Sequence, residues 1–157
     1  MNAVIKGLIA GAAGTAALNI ATYGDMTLRG RPSSTAPAEL AGILADKVGL
    51  SLSAGGADDE TVQNRKSGLG ALLGYVTGLG IGAVYGVARP ALNGVPAQLT
   101  GAGVGLLAMA ASDVPLGVSG VSDPKSWSTS EWASDLIPHL IYGFVVAAAY
   151  EAVAGDE

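Results

Sequence analysis

The residues able to do chemistry are few, and they fall in one pattern. Asn19, Asp25, Arg29 and Arg31 follow one another down the first third of the chain, Ser112 and Asp113 stand together, and Asp135 and His139 lie four apart near the end. A carboxylate and an imidazole held in apolar surroundings bind a proton, a cation or a small polar solute, and nearby guanidinium groups serve as donors to the carboxylate. With one histidine and no cysteine, a multi-His or thiolate metal centre is excluded. Catalytic signatures fail on spacing. Gly117-Val118-Ser119-Gly120 is followed by Val121, so it is not a nucleophile elbow. Gly68-Leu69-Gly70 is followed by Gly74, one residue too far for a dinucleotide loop, and Lys66-Ser67 lacks the upstream glycines of a phosphate loop. Ser112 and Asp113 are adjacent, so on a helix they point about 100° apart and do not assemble with His139 as a triad. The expectation is a chain without catalytic activity, cofactor or metal.

What must position these residues is apolar. Of 157 residues half are hydrophobic and only 13% are charged, against about 25% in an ordinary soluble domain. The net charge of −5 offers no basic field for nucleic acid. The apolar residues form four blocks, Ala3 to Tyr23, Gly68 to Ala88, Ala97 to Val118 and Ile137 to Gly155, and the charges lie almost wholly between them. A helix needs about 20 apolar residues to cross a bilayer, and each block is of that length. The rival is a soluble helical bundle, which would show a polar stripe at helical spacing. The second block has none: between Gly70 and Val87 only Tyr75, Thr77 and Tyr85 are polar. Lys6 before an apolar run resembles a secretory leader, but three further blocks follow, and the first is read as a retained span. The fold expected is an all-α bundle of four transmembrane helices forming a single membrane domain over residues 1–157.

Four spans put both termini and the Arg89–Pro96 loop on one side. The other side holds Arg29, Arg31, Lys47, Arg65, Lys66 and Lys125, against Lys6 and Arg89 on the first. The positive-inside bias then places the long first loop in the cytoplasm and both termini outside; the acidic pair Asp156-Glu157 does not weigh in this rule. Pro37 opens a helical turn, and Leu40, Ile43, Leu44 and Val48 recur at helical spacing, which predicts a short amphipathic helix over 37–48 on the membrane surface or across the helix ends. Asp58 or Asp59 caps the helix leading into the second block. Ser128 and Glu131 have capping-box spacing, Trp127 and Trp132 stand at the staple positions, and the last helix is expected to begin near Thr129.

Antiparallel threading brings the polar residues to one end of the bundle. Asn19, Asp113 and His139 come to similar depth, and Asp113 is expected to find a donor in His139, Arg29 or Arg31. Pro115 and Pro138 free the carbonyls of Ala111 and Ser134, which suggests broken helices meeting at one level, as in transporter sites. Two readings stay open: a structural polar cluster that fixes helix register, and a site for a proton, cation or small solute. Glycines recur at Gly70, Gly74, Gly78, Gly82 and Gly86, a ladder in steps of four. It predicts close packing of the second helix against the first and third, which carry Gly7, Gly11 and Gly14 and Gly101 and Gly105, at a crossing angle of about −40°. The alternative is that such a ladder also makes the seam of a homo-oligomer.

Two stretches resemble uncharacterised small actinobacterial multi-pass membrane proteins. The first is Lys6-Gly7-Leu8-Ile9-Ala10-Gly11-Ala12-Ala13-Gly14-Thr15-Ala16-Ala17-Leu18-Asn19, with Asp25-Met26 and Arg29-Gly30-Arg31-Pro32-Ser33-Ser34. The second comprises Ser112-Asp113-Val114-Pro115, Ser122-Asp123-Pro124, Trp127, Trp132 and Pro138-His139-Leu140-Ile141-Tyr142-Gly143. A more distant similarity is to YagU-like inner-membrane proteins. The resemblance implies a multi-pass protein of the cell inner membrane and supplies no reaction. The function expected is a membrane scaffold or accessory protein whose partners are the lipid bilayer and a second copy or another membrane protein; the alternative is transport or permeation through the Asp113/His139 cluster.

Overall fold

A computed structural model describes residues 1–155; the acidic pair Asp156-Glu157 lies outside the described residues. Helix α1 (Ala3–Arg29) starts where the Asn2 side chain accepts from the Ile5 amide at 2.9 Å, and ends on Gly30, whose φ of 62° is the left-handed turn a helix C-terminus favours. Helix α2 (Ala36–Lys47) carries Pro37 in its first turn. Helix α3 (Asp59–Ala88) is capped by Asp58, which accepts from the Thr61 amide at 2.8 Å, and it passes into a 3-10 turn at Arg89–Leu92. Helix α4 (Ala97–Val118) is followed by a short turn at Pro124–Ser126 and by α5 (Thr129–Ala154). The capping box of α5 forms from both sides, and the rings of Trp127 and Trp132 meet edge-on at 5.1 Å. Among the described residues there is no strand. The architecture is all-helical, and four of the helices are long and apolar enough to cross a membrane.

Two sequence expectations need correction. Helix α1 runs past Tyr23 to Arg29, so Asp25 and Arg29 ride on the helix and not in the loop. Neither Pro115 nor Pro138 breaks its helix; both lie inside continuous α4 and α5. Each proline removes one backbone donor, and the surrounding turns and neighbouring helices hold the rod together across the gap.

Helix α1 packs closely on α3 and on α5, and α5 packs on α4. The α3–α4 seam is looser, and α2 lies against the start of α3 while touching α4. Glycine decides which seams are tight. A methyl on Gly11 would fall 2.7 Å from the carbonyl oxygen of Gly78, and methyls on Gly7, Gly82 or Gly86 would overlap the opposing backbone. The α4–α5 seam repeats the device: a methyl on Gly105 would fall 2.6 Å from the His139 carbonyl, and one on Gly143 would strike Gly101. Such contacts let backbones approach as larger residues cannot.

The glycine ladder is therefore shared out, and it does not form one groove for α1 and α4. Gly78, Gly82 and Gly86 meet α1, Gly70 meets Pro37 of α2, and a methyl on Gly74 would touch nothing. The reason is geometric. A row of i, i+4 positions drifts about 40° around the helix at each step, so it cannot face one neighbour along its whole length. The glycines of α4 serve α5 instead.

The centre of the bundle is filled. Ala10 and Val146 are 0% exposed and Tyr142 is 1% exposed. Tyr142 donates to the Gly78 carbonyl at 2.6 Å and Tyr150 to the Gly86 carbonyl at 3.2 Å, while Tyr85 packs edge-on against Tyr150 and meets the Thr100 hydroxyl at 3.3 Å. Outward, large apolar residues such as Leu72, Val76, Val84, Leu99 and Val118 are exposed. The face α2 buries is its small one, Ala38, Ala41, Gly42 and Ala45, with the methylenes of Lys66 over Gly42. The expected apolar face is only partly covered, since Leu44 and Val48 stay exposed; small residues let α2 sit flat on α3, whereas the larger ones would hold it off.

Candidate functional site

Two polar groups stand side by side on α5. The first links α1 to α5. Asp25 receives both arginines of the turn: Arg29 Nε reaches Oδ1 at 2.6 Å and Arg31 Nε reaches Oδ2 at 2.5 Å. Arg29 also donates to the hydroxyls of Ser130, at 2.7 Å, and Ser134. Helical spacing explains the first pair, since residues four apart share a face. Gly30 then turns the chain back so that Arg31 reaches the same carboxylate. Two guanidinium groups on one carboxylate leave the group with one net positive charge.

The second group lies on the α4–α5 seam. Asp113 of α4 and Asp135 of α5 bring their carboxyls within hydrogen-bonding reach of each other. His139, one turn on, points its Nδ1 at the Asp135 carbonyl oxygen at 2.8 Å and at Asp135 Oδ1 at 3.4 Å. The other carboxylate oxygen of Asp135 is buried without a hydrogen-bond partner. Two touching carboxyls repel when both are ionised. The arrangement therefore favours a positive charge beside it: a shared proton, a small cation or the His139 imidazolium. Among the described residues, no three His, Asp or Glu side chains converge as a metal centre would need.

The expected pairings are redistributed. Arg29 and Arg31 are engaged by Asp25, so neither serves Asp113, and His139 turns to Asp135 on its own helix. A partner four residues away on one helix is held by the backbone itself, whereas a partner on another helix must be brought by packing. Asp135 is partly buried at the seam. Asn19 is half-buried on α1, and among the described residues no hydrogen bond joins it to Asp113 or His139. Ser112 turns its hydroxyl back to the Ala108 carbonyl at 3.1 Å. What does hold is the gathering itself. Asp25, Arg29, Arg31, Asp113, Asp135 and His139 all collect at the end of the bundle where α5 begins.

Sequence reasoning missed Ser130 and Ser134, which lie four apart on the first turns of α5 and so present a shared face to Arg29. It also missed the phenols. Tyr142 and Tyr150 are eight apart, as are Gly78 and Gly86, and equal spacing on parallel helices is the signal that pairs them. At the far end Arg89 pairs with Glu151 at 2.6 Å, and the buried Lys6 reaches the Ala154 carbonyl at 3.5 Å.

No protein-family profile matches the chain. No curated protein and no solved structure matches it either.

Proposed function

We propose that this chain is a small integral membrane scaffold or accessory protein without catalytic activity, its long first loop facing the cytoplasm. The observation that carries this reading is the filled centre. Ala10, Tyr142 and Val146 are sealed from solvent, and the Tyr142 and Tyr150 hydroxyls are spent on the Gly78 and Gly86 carbonyls. A route for solute would need a polar, hydrated path, and these phenols close the middle of the bundle. The apolar outer residues suit lipid, because contiguous apolar surface this extensive is rare on soluble monomers. Most of the ladder is spent inside the chain, so a partner meets the remaining outward face of α3 around Gly74. The likeness to actinobacterial multi-pass proteins belongs to the same reading.

The test is reconstitution in proteoliposomes with a pH-sensitive dye, together with crosslinking in native membranes. A scaffold gives dye traces equal to those of empty vesicles, and a discrete crosslinked partner. A flux that scales with protein content would refute it.

One observation favours a second reading, a proton or cation site: Asp135 stands beside Asp113 and keeps one buried carboxylate oxygen without a hydrogen-bond partner. Under that reading Asp113→Asn abolishes a pH-dependent flux while leaving the fold intact.

A further inference from the structure

The loose α3–α4 seam holds a groove of about 320 Å³. It is lined by Ile81, Tyr85 and Leu92 on one wall and by Leu99, Gly103 and Leu107 on the other. From the geometry we infer that this groove holds one acyl chain of a phospholipid, from the leaflet on the Arg89 side. The inference rests on the bilayer reading, which membrane extraction tests separately.

Length selects the occupant. From Leu99 to Leu107 the groove runs about 12 Å along α4 at 1.5 Å per residue. That is close to the ~15 Å of one leaflet, half of the hydrocarbon core, and far short of the ~30 Å that a spanning partner helix would need. Its lining on α3 begins at Ile81 and includes no residue of α2, which meets α3 further along at Gly70. Chemistry selects it as well. The polar residues in the wall, Tyr85 and Thr100, meet each other at 3.3 Å, and Thr100 also donates to the Ala97 carbonyl at 3.1 Å. No donor is left for a polar ligand, so the guest is hydrocarbon throughout.

The mouth carries no net charge. Arg89 donates through Nη1 to the carbonyl of Leu92, a residue of the groove wall, and its Nε is paired with Glu151 at 2.6 Å, so the acyl chain and not the headgroup selects the guest. A second copy of the chain fits worse. The lining comprises eleven residues, whereas a stable protein interface takes about 20–30 on each side. Gly103 supplies the width, since a methyl built there would meet nothing within 4 Å.

The probe is palmitoyl-oleoyl phosphatidylglycerol, titrated onto delipidated full-length protein and read by native mass spectrometry. Wild type is expected to keep one lipid at collision energies that strip the rest. Gly103→Leu fills the groove and lowers that bound fraction about tenfold, equivalent to about 1.4 kcal/mol. Gly68→Leu adds the same bulk at another open glycine, on α3 and outside the groove, and leaves the fraction unchanged. Equal retention by all three proteins would overturn the proposal, and so would absence of a retained lipid on wild type. Should Gly103→Leu not fold, a bimane on Leu107→Cys reads the same point in a chain that has no other cysteine. Brominated phosphatidylglycerol carried into lipid-free detergent quenches it, and unchanged fluorescence contradicts the inference. Disulfide pairing of Leu99→Cys between copies at high yield would show a second chain in the groove and also overturn it.

Discussion

The phenol of Tyr142 on α5 donates to the backbone carbonyl of Gly78 on α3 across 2.6 Å, joining two parallel helices that stand diagonally across the bundle. Tyr150 and Gly86 repeat the bond eight residues further along both helices, at 3.2 Å. A glycine lets the phenol come down onto its carbonyl, so the residues that allow α1 to approach α3 also expose acceptors to α5. Removing the hydroxyl with Tyr142→Phe should cost about 1 kcal/mol, within the range for hydrogen bonds between helices in membranes, and lower the melting temperature by about 2–4 °C. Tyr150→Phe should cost less, because its bond is longer. Thermal melts in detergent followed by circular dichroism compare the two.

The α1–α3 seam should tolerate no side chain. A methyl on Gly82 meets the Gly7 and Gly11 backbone, which cannot swing aside as a side chain can. Gly82→Ala should therefore destabilise the fold by about 1–3 kcal/mol, the cost of overpacking a tight contact. Gly74→Ala, with open space around it, should be neutral or slightly stabilising, because alanine is the better helix former. Parallel melts of the two proteins check the contrast, and equal losses would show that the ladder does not pack as described.

The start of α3 should respond to acid. Asp58 accepts hydrogen bonds from Thr61, and these hold its carboxyl below the usual carboxylate value of 3.8. A depressed carboxylate contributes stability that is present above its unfolded value and is lost as pH falls through its folded one. Amide exchange at Thr61 and Val62 should therefore quicken as pH drops below about 4, relative to the intrinsic rate. Asp58→Asn should cap the helix at every pH and remove that dependence.

The carboxyl pair makes its own prediction under the scaffold reading. Asp135→Asn places an amide donor beside Asp113 and removes a charge whose second oxygen is buried without a partner. The variant should melt higher than wild type, by about 0.5–1.5 kcal/mol for the bond gained. A lower melting temperature would mean that the carboxylate itself is needed there, as a bound cation would require.

Much of this was readable in the chain. Ser128 and Glu131 announced their capping box, the two tryptophans their staple, and four apolar blocks their helices, because these signals are local. What the sequence left open depends on rotation about a helix axis. Spacing alone said that Gly70 to Gly86 form a row, but the drift of that row hands Gly70 to α2, Gly78 to α1 and Gly74 to the outside. The gathering of the polar residues at one end follows from threading alone. Their partners do not, because His139 has a local choice in Asp135 and a tertiary one in Asp113, and Asp25 takes both arginines through a left-handed turn at Gly30. Counting residues supplies the depth of Asn19 and says nothing of which side chains it meets.

The exposed apolar faces of the four long helices call for lipid around them. Extraction of native membranes with alkaline carbonate addresses this most directly. The protein should remain in the pellet after ultracentrifugation and be released only by detergent. A folded protein recovered in the supernatant would contradict the account.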